Sequence, residues 1–356
     1  MISLKKDTMK HGTELTTLAR RIIEEAQQKR DYAMDTRNLS LANDSQLVFA
    51  IKGSFREVKP TERCLNQIGN RVGIPRAYMH RMQTEAPELL ARNVNHWFKS
   101  QPEMRMLRTL ENGHHVGRAF LSQRYRPLDN HDLVEAVLPK LIDAGCEVKS
   151  CQLTDSRLYI QATTPKITAE VKKGDVVQAG ITISNSEVGA GSVKVEPMAF
   201  RLVCLNGMIM PTAMRRHHVG RAGDGEWNEG EAAEVFSDST RRLDDKAFWA
   251  KVNDVVNHSL TEIRFLEHVK RMTDSTKIET GKPLEAVEIV AKKFLLSEGE
   301  SDSVLAHLAK GGDLSLWGLA NAVTRTAEDV ESYDRAVELE RIGGEVIELP
   351  KNVFLN

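Results

Sequence analysis

Hydrophobic and polar positions follow two different periods, and the period changes along the chain. Apolar residues recur at helical spacing from Glu14 to Arg30, which predicts a first helix. Alternating, β-branched stretches then predict one or two strands from Leu47 to Val58 and a hairpin that turns at Asn112-Gly113. The helical period returns from Asp244 to Arg341, and Gly311-Gly312 interrupts it within this range.

These elements predict an α+β fold made of a mostly antiparallel curved sheet with flanking helices, followed by an acidic helical C-terminal part. A Gly-rich, acidic stretch begins after Arg221. We therefore expect a mixed α+β body with a basic surface at residues 1–221, a linker or loop at 222–243 and a helical part at 244–356.

The segment from Thr61 to Met82 predicts two helices joined by a tight turn. Thr61 suits an N-cap, Gly73 suits the residue that ends the first helix, and Pro75 suits the start of the second. This arrangement is typical of DNA-binding helix-turn-helix proteins. Two helices packed at an angle inside a larger fold would give the same pattern.

The middle of the chain is rich in predicted strands. Apolar runs at residues 176–183 and 198–210 predict strands joined by a Gly/Ser-rich connection. Asn130 is predicted to cap a helix over residues 131–144. Polar residues whose side chains can bond the local backbone are expected to shape turns: Asn185, Ser186 and Asn206.

Basic residues at two places predict contacts with a nucleic-acid backbone. Three arginines and two histidines fall within seven positions after Pro211, and arginine can bind phosphate bidentately. A second group mixes arginines with aromatic residues near a strand end, as in proteins that bind single strands, and Tyr125 is expected to stack on a base. The residues predicted to contact nucleic acid are Arg215, Arg216, His217, His218 and Arg221, together with Arg118, Arg124, Tyr125 and Arg126.

Composition and charge restrict the class of protein. The chain has 356 residues, 41% of them hydrophobic, which is enough for a sizeable core, and its net charge is −1. Residues 51–126 carry 14 Lys and Arg against 6 Asp and Glu, whereas residues 281–349 carry 7 against 14. A polyanion would meet the first segment, unless the two segments pair with each other. No signal-peptide or membrane-span pattern occurs, so we expect a soluble cytoplasmic protein.

No motif predicts catalysis or a cofactor. The four cysteines lack zinc-site spacing and resemble the small buried hydrophobes of proteins in a reducing compartment. The chain has neither a phosphate-binding P-loop nor a GxSxG nucleophile motif. We expect no metal and no cofactor, and an enzyme is the class that the sequence supports least.

Several segments together resemble one known family. They are RVGIPRAYMHRM, NVNHWF, FLSQRYRPLDN, ITISNSEVGAGSVKVEPMAFRLVCLNGM and WGLANAVTRTAED. The combination is similar to the phage- and plasmid-borne family catalogued as domain of unknown function 932, and it covers residues 59–340. The resemblance implies a link to mobile elements and no particular activity. Glu187-Val188 stand where similar proteins often have His-Asp. The most specific residues are Ser122, Arg124, Tyr125, Pro127, Asp129, Asn130, Asn185, Ser186 and the stretch from Arg201 to Gly207.

In outline the chain also resembles phage single-strand annealing recombinases, which combine a curved antiparallel sheet, flanking helices and a basic groove. The expected function is ATP-independent DNA binding in phage or plasmid recombination or replication, with single-stranded DNA favoured and a homo-oligomeric assembly. Two alternatives stay open. A helix-turn-helix regulator would bind duplex DNA through residues 61–82, with Arg76 in contact. A protein-interaction factor would act on a host complex through the acidic C-terminal part.

Overall fold

The computed structural model describes residues 12–51, 53–111, 113–123, 125, 128–211 and 238–354, and for residues 238–242 it describes the backbone alone. These ranges contain eleven strands, eleven α-helices and two short 3-10 helices. The strands are β1 Lys29–Asp35, β2 Leu39–Leu41, β3 Leu47–Ile51, β4 Ser54–Pro60, β5 Met104–Glu111, β6 His115–Ser122, β7 Glu147–Leu153, β8 Leu158–Lys172, β9 Asp175–Asn185, β10 Lys194–Arg201 and β11 Asn206–Ile209. The helices are α1 Leu15–Gln28, α2 Glu62–Val72, α3 Arg76–Glu85, α4 Pro87–Ser100, α5 Asn130–Asp143, α6 Asp238–Ser259, α7 Glu262–Ser275, α8 Pro283–Phe294, α9 Glu298–Gly311, α10 Leu316–Thr326 and α11 Tyr333–Ile347.

The first sheet has six strands in the order β1-β5-β6-β4-β3-β2. Its neighbours are antiparallel except for β4 and β6, which pair in parallel. The predicted β5–β6 hairpin is confirmed, and its turn contains Gly113 at a φ of 87°, which glycine adopts without strain. Helices α2, α3 and α4 cover the sheet through a core that includes Leu65, Leu90 and Leu107.

The second sheet is an antiparallel meander of five strands in the order β11-β10-β9-β8-β7. At one end of its strands, Leu158 and Ile183 pack in a core with α1, α5 and α6. At the other end, Val177 and Ala199 pack with α7–α11 in a core that contains Trp317. The C-terminal helices therefore share a hydrophobic core with this sheet, and the predicted α+β fold class is confirmed.

The predicted helix pair at residues 61–82 is also confirmed. The Thr61 hydroxyl caps α2 by accepting a hydrogen bond from the backbone N–H of Cys64 at 3.2 Å. Gly73 ends α2 at a φ of 73°, and α3 begins at Arg76. The side chains of Met79 and Met82 face the core of the first sheet, so the pair is packed within a larger fold.

Two predictions are wrong in detail. Asn130 does not cap α5, because Asp129 occupies the cap position and Asn130 is the first helical residue. The apolar run at 198–210 is two strands and not one, because the chain reverses at residues 202–205 and Arg201 pairs with Asn206. The turn itself is apolar, and the turn dipeptide Asn206-Gly207 lies just after it, at the start of β11, where Asn206 Nδ2 donates to Thr324 Oγ1 at 2.6 Å.

Among the described residues, every helix is too short or too polar to cross a membrane. All four cysteines are unpaired, with Cys64 and Cys151 buried and Cys146 and Cys204 half-buried.

Candidate functional site

Where the two sheets meet, six charged side chains form a network that we call the polar junction. Three cations and three carboxylates balance one another: Lys29, Arg108 and Arg118 with Asp31, Asp129 and Glu187. Arg108, only 1% exposed, donates to Asp31 Oδ1 at 2.9 Å and to Asp129 Oδ1 at 2.7 Å. Burial would lower the pKa of Arg108, but the two carboxylates hold it above its usual value. The buried charges are thus compensated, as burial in a low dielectric requires.

Glu187 lies at the centre of the polar junction, directly after β9, and is 2% exposed. Its carboxylate pairs with Lys29, accepts from Arg118 Nη2 at 2.7 Å and accepts from the backbone N–H of Asn130 at 2.6 Å. Burial alone would raise the pKa of Glu187, but the two cations and the N–H lower it to about 2. A carboxylate at the start of α5 also suits the helix dipole. Glu187 therefore fastens β1, β6 and α5 to the end of β9.

Uncharged polar residues hold the chain on either side of Glu187. Asn185 Nδ2 donates to the backbone O of Leu128 at 2.7 Å and to Asn130 Oδ1 at 2.9 Å. The Tyr125 hydroxyl donates to the backbone O of Ser186 at 3.0 Å, and Ser186 Oγ accepts from the N–H of Ala190 at 2.8 Å. These bonds fix the start of the loop between β9 and β10.

Two of the nine predicted nucleic-acid-binding residues lie in or beside the polar junction. The Arg118 side chain is 15% exposed and is paired with Glu187. Tyr125 packs on Leu121 and Val188. Their contact with nucleic acid stays a prediction. The other seven lie outside the described residues: Arg124, Arg126, Arg215, Arg216, His217, His218 and Arg221.

A second group of charged residues lies around the β9–β10 loop, and we call Arg63, Arg157 and Lys194 the cation cluster. Arg63 lies in the first turn of α2, Arg157 just before β8, and Lys194 at the start of β10. Arg157 interacts electrostatically with both of the others. Neither Arg63 nor Lys194 forms an ion pair within 4.0 Å with any described residue. Asp334 acts on Arg63, and Glu196 and Glu345 act on Lys194, but only from beyond ion-pair distance, so the positive charge here is compensated less directly than in the polar junction.

The guanidinium of Arg157 lies against the backbone of the β9–β10 loop. Arg157 donates to the backbone O of Ala190, and a Cβ on Gly191 would lie 2.4 Å from the guanidinium. Asp334 at the start of α11 accepts hydrogen bonds from Ser156 Oγ at 2.6 Å and Thr154 Oγ1 at 3.1 Å. The C-terminal helices thereby fix the turn that carries Arg157.

The protonated forms of Arg63 and Lys194 are held at an electrostatic cost. Burial and then the charge of Arg157 lower the pKa of Arg63. Burial, Arg341 and Arg157 lower the pKa of Lys194, although Glu196 acts in the opposite direction. Half-buried cations whose pKa is lowered by a neighbouring positive charge are a feature of sites that bind an opposite charge.

The sequence offered little sign of the cation cluster, because its members come from three distant segments. The one usable signal was the Gly-Ala-Gly-Ser stretch at residues 189–192, since glycines mark places where another group approaches the backbone closely. Separately, His131, Asp132 and Glu135 on α5 bring possible metal-ligand atoms within 4.8 Å of one another. Half-exposed or exposed acidic groups of this kind are common without a metal, so the three residues alone do not define a metal site.

Comparison with known proteins identifies one family. A family model described as Domain of unknown function (DUF932) matches residues 119–341, which is more than half of the chain. The matched range includes Asp129 and Glu187 of the polar junction, the β9–β10 loop, Arg157 and Lys194. No curated protein and no solved structure matches the chain. The chain belongs to the DUF932 family.

Proposed function

We propose that this protein binds DNA without ATP, with single strands favoured, and that the cation cluster contacts the sugar-phosphate backbone. The observation that carries the proposal is that Arg157, which contacts the glycine-rich β9–β10 loop, interacts electrostatically with Arg63 and Lys194, and neither of those two has a carboxylate within ion-pair distance among the described residues. The negative charge of DNA lies on its backbone phosphates, and guanidinium groups can bind a phosphate bidentately.

Single strands are favoured because the cations are half-buried, and a flexible single strand can reach recessed cations more easily than a stiff duplex can. The basic cluster from Arg215 to Arg221 would add contacts. Under this proposal the protein acts in phage or plasmid recombination or replication, in the cytoplasm and as a homo-oligomer.

The test is fluorescence anisotropy of a labelled single-stranded oligonucleotide at several salt concentrations. Arg63→Gln and Lys194→Gln should each weaken binding and lower the salt slope by about 0.7 for each phosphate that is no longer neutralised. Lys292→Gln, at an exposed lysine on α8, is the matched control and should change neither quantity. Unchanged binding in both cluster variants would refute the assignment of this surface.

A double variant, Arg215→Ala with Arg216→Ala, tests the basic cluster in the same assay. We expect it to weaken binding to single and double strands alike, because phosphate contacts carry no sequence information. Tighter binding to a particular duplex, abolished by Arg76→Ala, would instead favour the helix-turn-helix alternative. Absence of binding at low salt in the unaltered protein would contradict the proposed function altogether.

A further inference from the structure

A cavity of about 290 Å³ lies at the opposite end of the second sheet from the cation cluster. Strand β10 begins at Lys194 in the cluster and ends at Arg201 on the cavity wall, so the two sites are roughly 23 Å apart at about 3.3 Å per residue. The remaining walls come from the end of β8, from α9 and α10 with Asp313 between them, and from the turn at residues 202–205. This turn belongs to the stretch from Arg201 to Gly207, which takes no part in the polar junction or the cation cluster.

The charged groups on the cavity wall differ in whether they are neutralised. Arg201 forms a two-point ion pair with Asp175, at 2.6 and 2.8 Å, and Lys172 pairs with Asp313. Lys310 and Arg325 form no ion pair within 4.0 Å with any described residue. Arg325 also acts on Glu328 and Asp329, but from beyond ion-pair distance. Both cations can therefore still pair directly with a ligand on the α9 and α10 side of the cavity.

Polar atoms on the same wall lack hydrogen-bond partners among the described residues. Asn321 is 6% exposed, and its Oδ1 has no donor, although its Nδ2 donates to the backbone O of Trp317 at 2.7 Å. The Nε of Arg325 is buried and has no acceptor, while its Nη1 reaches only the sulfur of Cys204, at 3.6 Å. A buried acceptor and a buried donor left open beside a cavity are costly unless a bound molecule satisfies them.

We propose that this cavity binds a small organic phosphate that also carries a hydrogen-bond donor. The phosphate would be bound by Arg325 and Lys310, and a hydroxyl or amino group of the ligand would donate to Asn321 Oδ1. The volume is near the lower end of the range for small-molecule pockets, roughly 300 to 1,000 Å³, and exceeds what inorganic phosphate alone would fill. The ligand is distinct from the DNA of the proposed function, because the two sites are at opposite ends of the strands.

Cys204 provides a direct readout, because it lines the cavity and is half-buried. The full-length protein is treated with iodoacetamide, and alkylation of each cysteine is followed by peptide mass spectrometry. Ribose 5-phosphate should slow the labelling of Cys204 in a saturable manner and leave Cys146 unaffected, since Cys146 lies elsewhere, before β7. Ribose, with the same hydroxyls and no phosphate, should give no protection.

Two variants test the assignment of the cations. Arg325→Gln should raise the apparent Kd for ribose 5-phosphate about tenfold or more, which is the effect of removing one charge-assisted hydrogen bond. Lys310→Gln should raise the apparent Kd severalfold. Because Lys310 is exposed, this variant leaves the core intact. Arg271→Gln, which removes an exposed arginine paired with Glu348 away from the cavity, should not change the apparent Kd.

The outcomes separate clearly. Lack of protection by ribose 5-phosphate at millimolar concentration overturns the proposal, as does equal affinity in Arg325→Gln and Lys310→Gln. Equal protection of Cys204 by inorganic phosphate would show a simple anion site and overturn the proposal that the ligand is an organic phosphate. Loss of DNA binding in the cation-cluster variants would leave these results unchanged, so the two proposals can fail independently.

Discussion

At the scale of single residues, the stability of the junction between the sheets depends on one carboxylate. Glu187 is the acceptor for Lys29, Arg118 and the N–H of Asn130, and it is almost completely buried. Its substitution by a neutral side chain would leave two poorly hydrated cations without their partner. Such a change costs far more than the removal of an exposed ion pair, because the remaining charges stay buried.

We therefore expect Glu187→Gln to lower the free energy of unfolding by about 3 to 5 kcal/mol in urea titrations. The matched control is Glu267→Gln, which breaks an exposed pair with Arg264 on one helix and should cost less than about 1 kcal/mol. Similar decreases in the free energy of unfolding of the two variants would show that the charges of the polar junction are not effectively buried.

The pH dependence has a defined sign. The pKa of Glu187 is lowered from 4.5 to about 2 in the folded protein, so its contribution is complete above pH 4.5 and disappears as the pH falls towards 2. The difference in stability between the unaltered protein and Glu187→Gln should shrink over this window by on the order of 3 kcal/mol. A difference that stays constant between about pH 5 and 2.5 would contradict the low pKa.

At the scale of elements, the contact between α11 and the second sheet depends on glycine. A Cβ on Gly344 would lie 1.9 Å from the backbone O of Ile209 on β11, and one on Gly343 would lie 2.2 Å from Thr324 on α10. The glycines are thus retained inside a helix, despite their low helix propensity, because they allow close approach of the backbones.

Gly344→Ala should therefore destabilise the protein by about 1 to 3 kcal/mol, as overpacking does, in spite of the gain in helix propensity. Gly299→Ala in α9 is the matched control, because nothing lies within 4 Å of its added Cβ. The melting temperature of Gly299→Ala should stay the same or rise, because the gain in helix propensity adds up to about 1 kcal/mol to the free energy of unfolding. The idea of close backbone packing fails if both variants behave alike.

Elements were easier to predict from the sequence than their contacts. Thr61, Gly73 and the hairpin at residues 104–122 could be identified because caps, turns and periodic apolar positions are local features. The role of Asn130 could not be predicted from local sequence. The acceptor for its backbone N–H at the start of α5 is Glu187, which is 57 residues away along the chain. Likewise, the cation cluster unites residues that only the tertiary fold brings together.

At the scale of the whole molecule, the sequence predicts a mixed α+β body at residues 1–221, a linker or loop at 222–243 and a helical part at 244–356. The hydrophobic core crosses that division, since Val177, Ala179 and Met208 of the sheet pack with Trp317 and Leu339 of the helices. Shared burial of this kind makes two segments fold as one cooperative unit.

A fragment of residues 1–221 should therefore not fold alone, because the sheet residues that contact α7–α11 would be exposed to water. We expect it to lack near-ultraviolet circular dichroism, to bind the dye ANS and to unfold without a cooperative transition. Its mixture with a separately produced fragment of residues 238–356 should restore all three properties, and this mixture is the control for damage caused by cutting. Cooperative unfolding of the first fragment by itself would instead support two independent domains, with the shared core contributing little to stability.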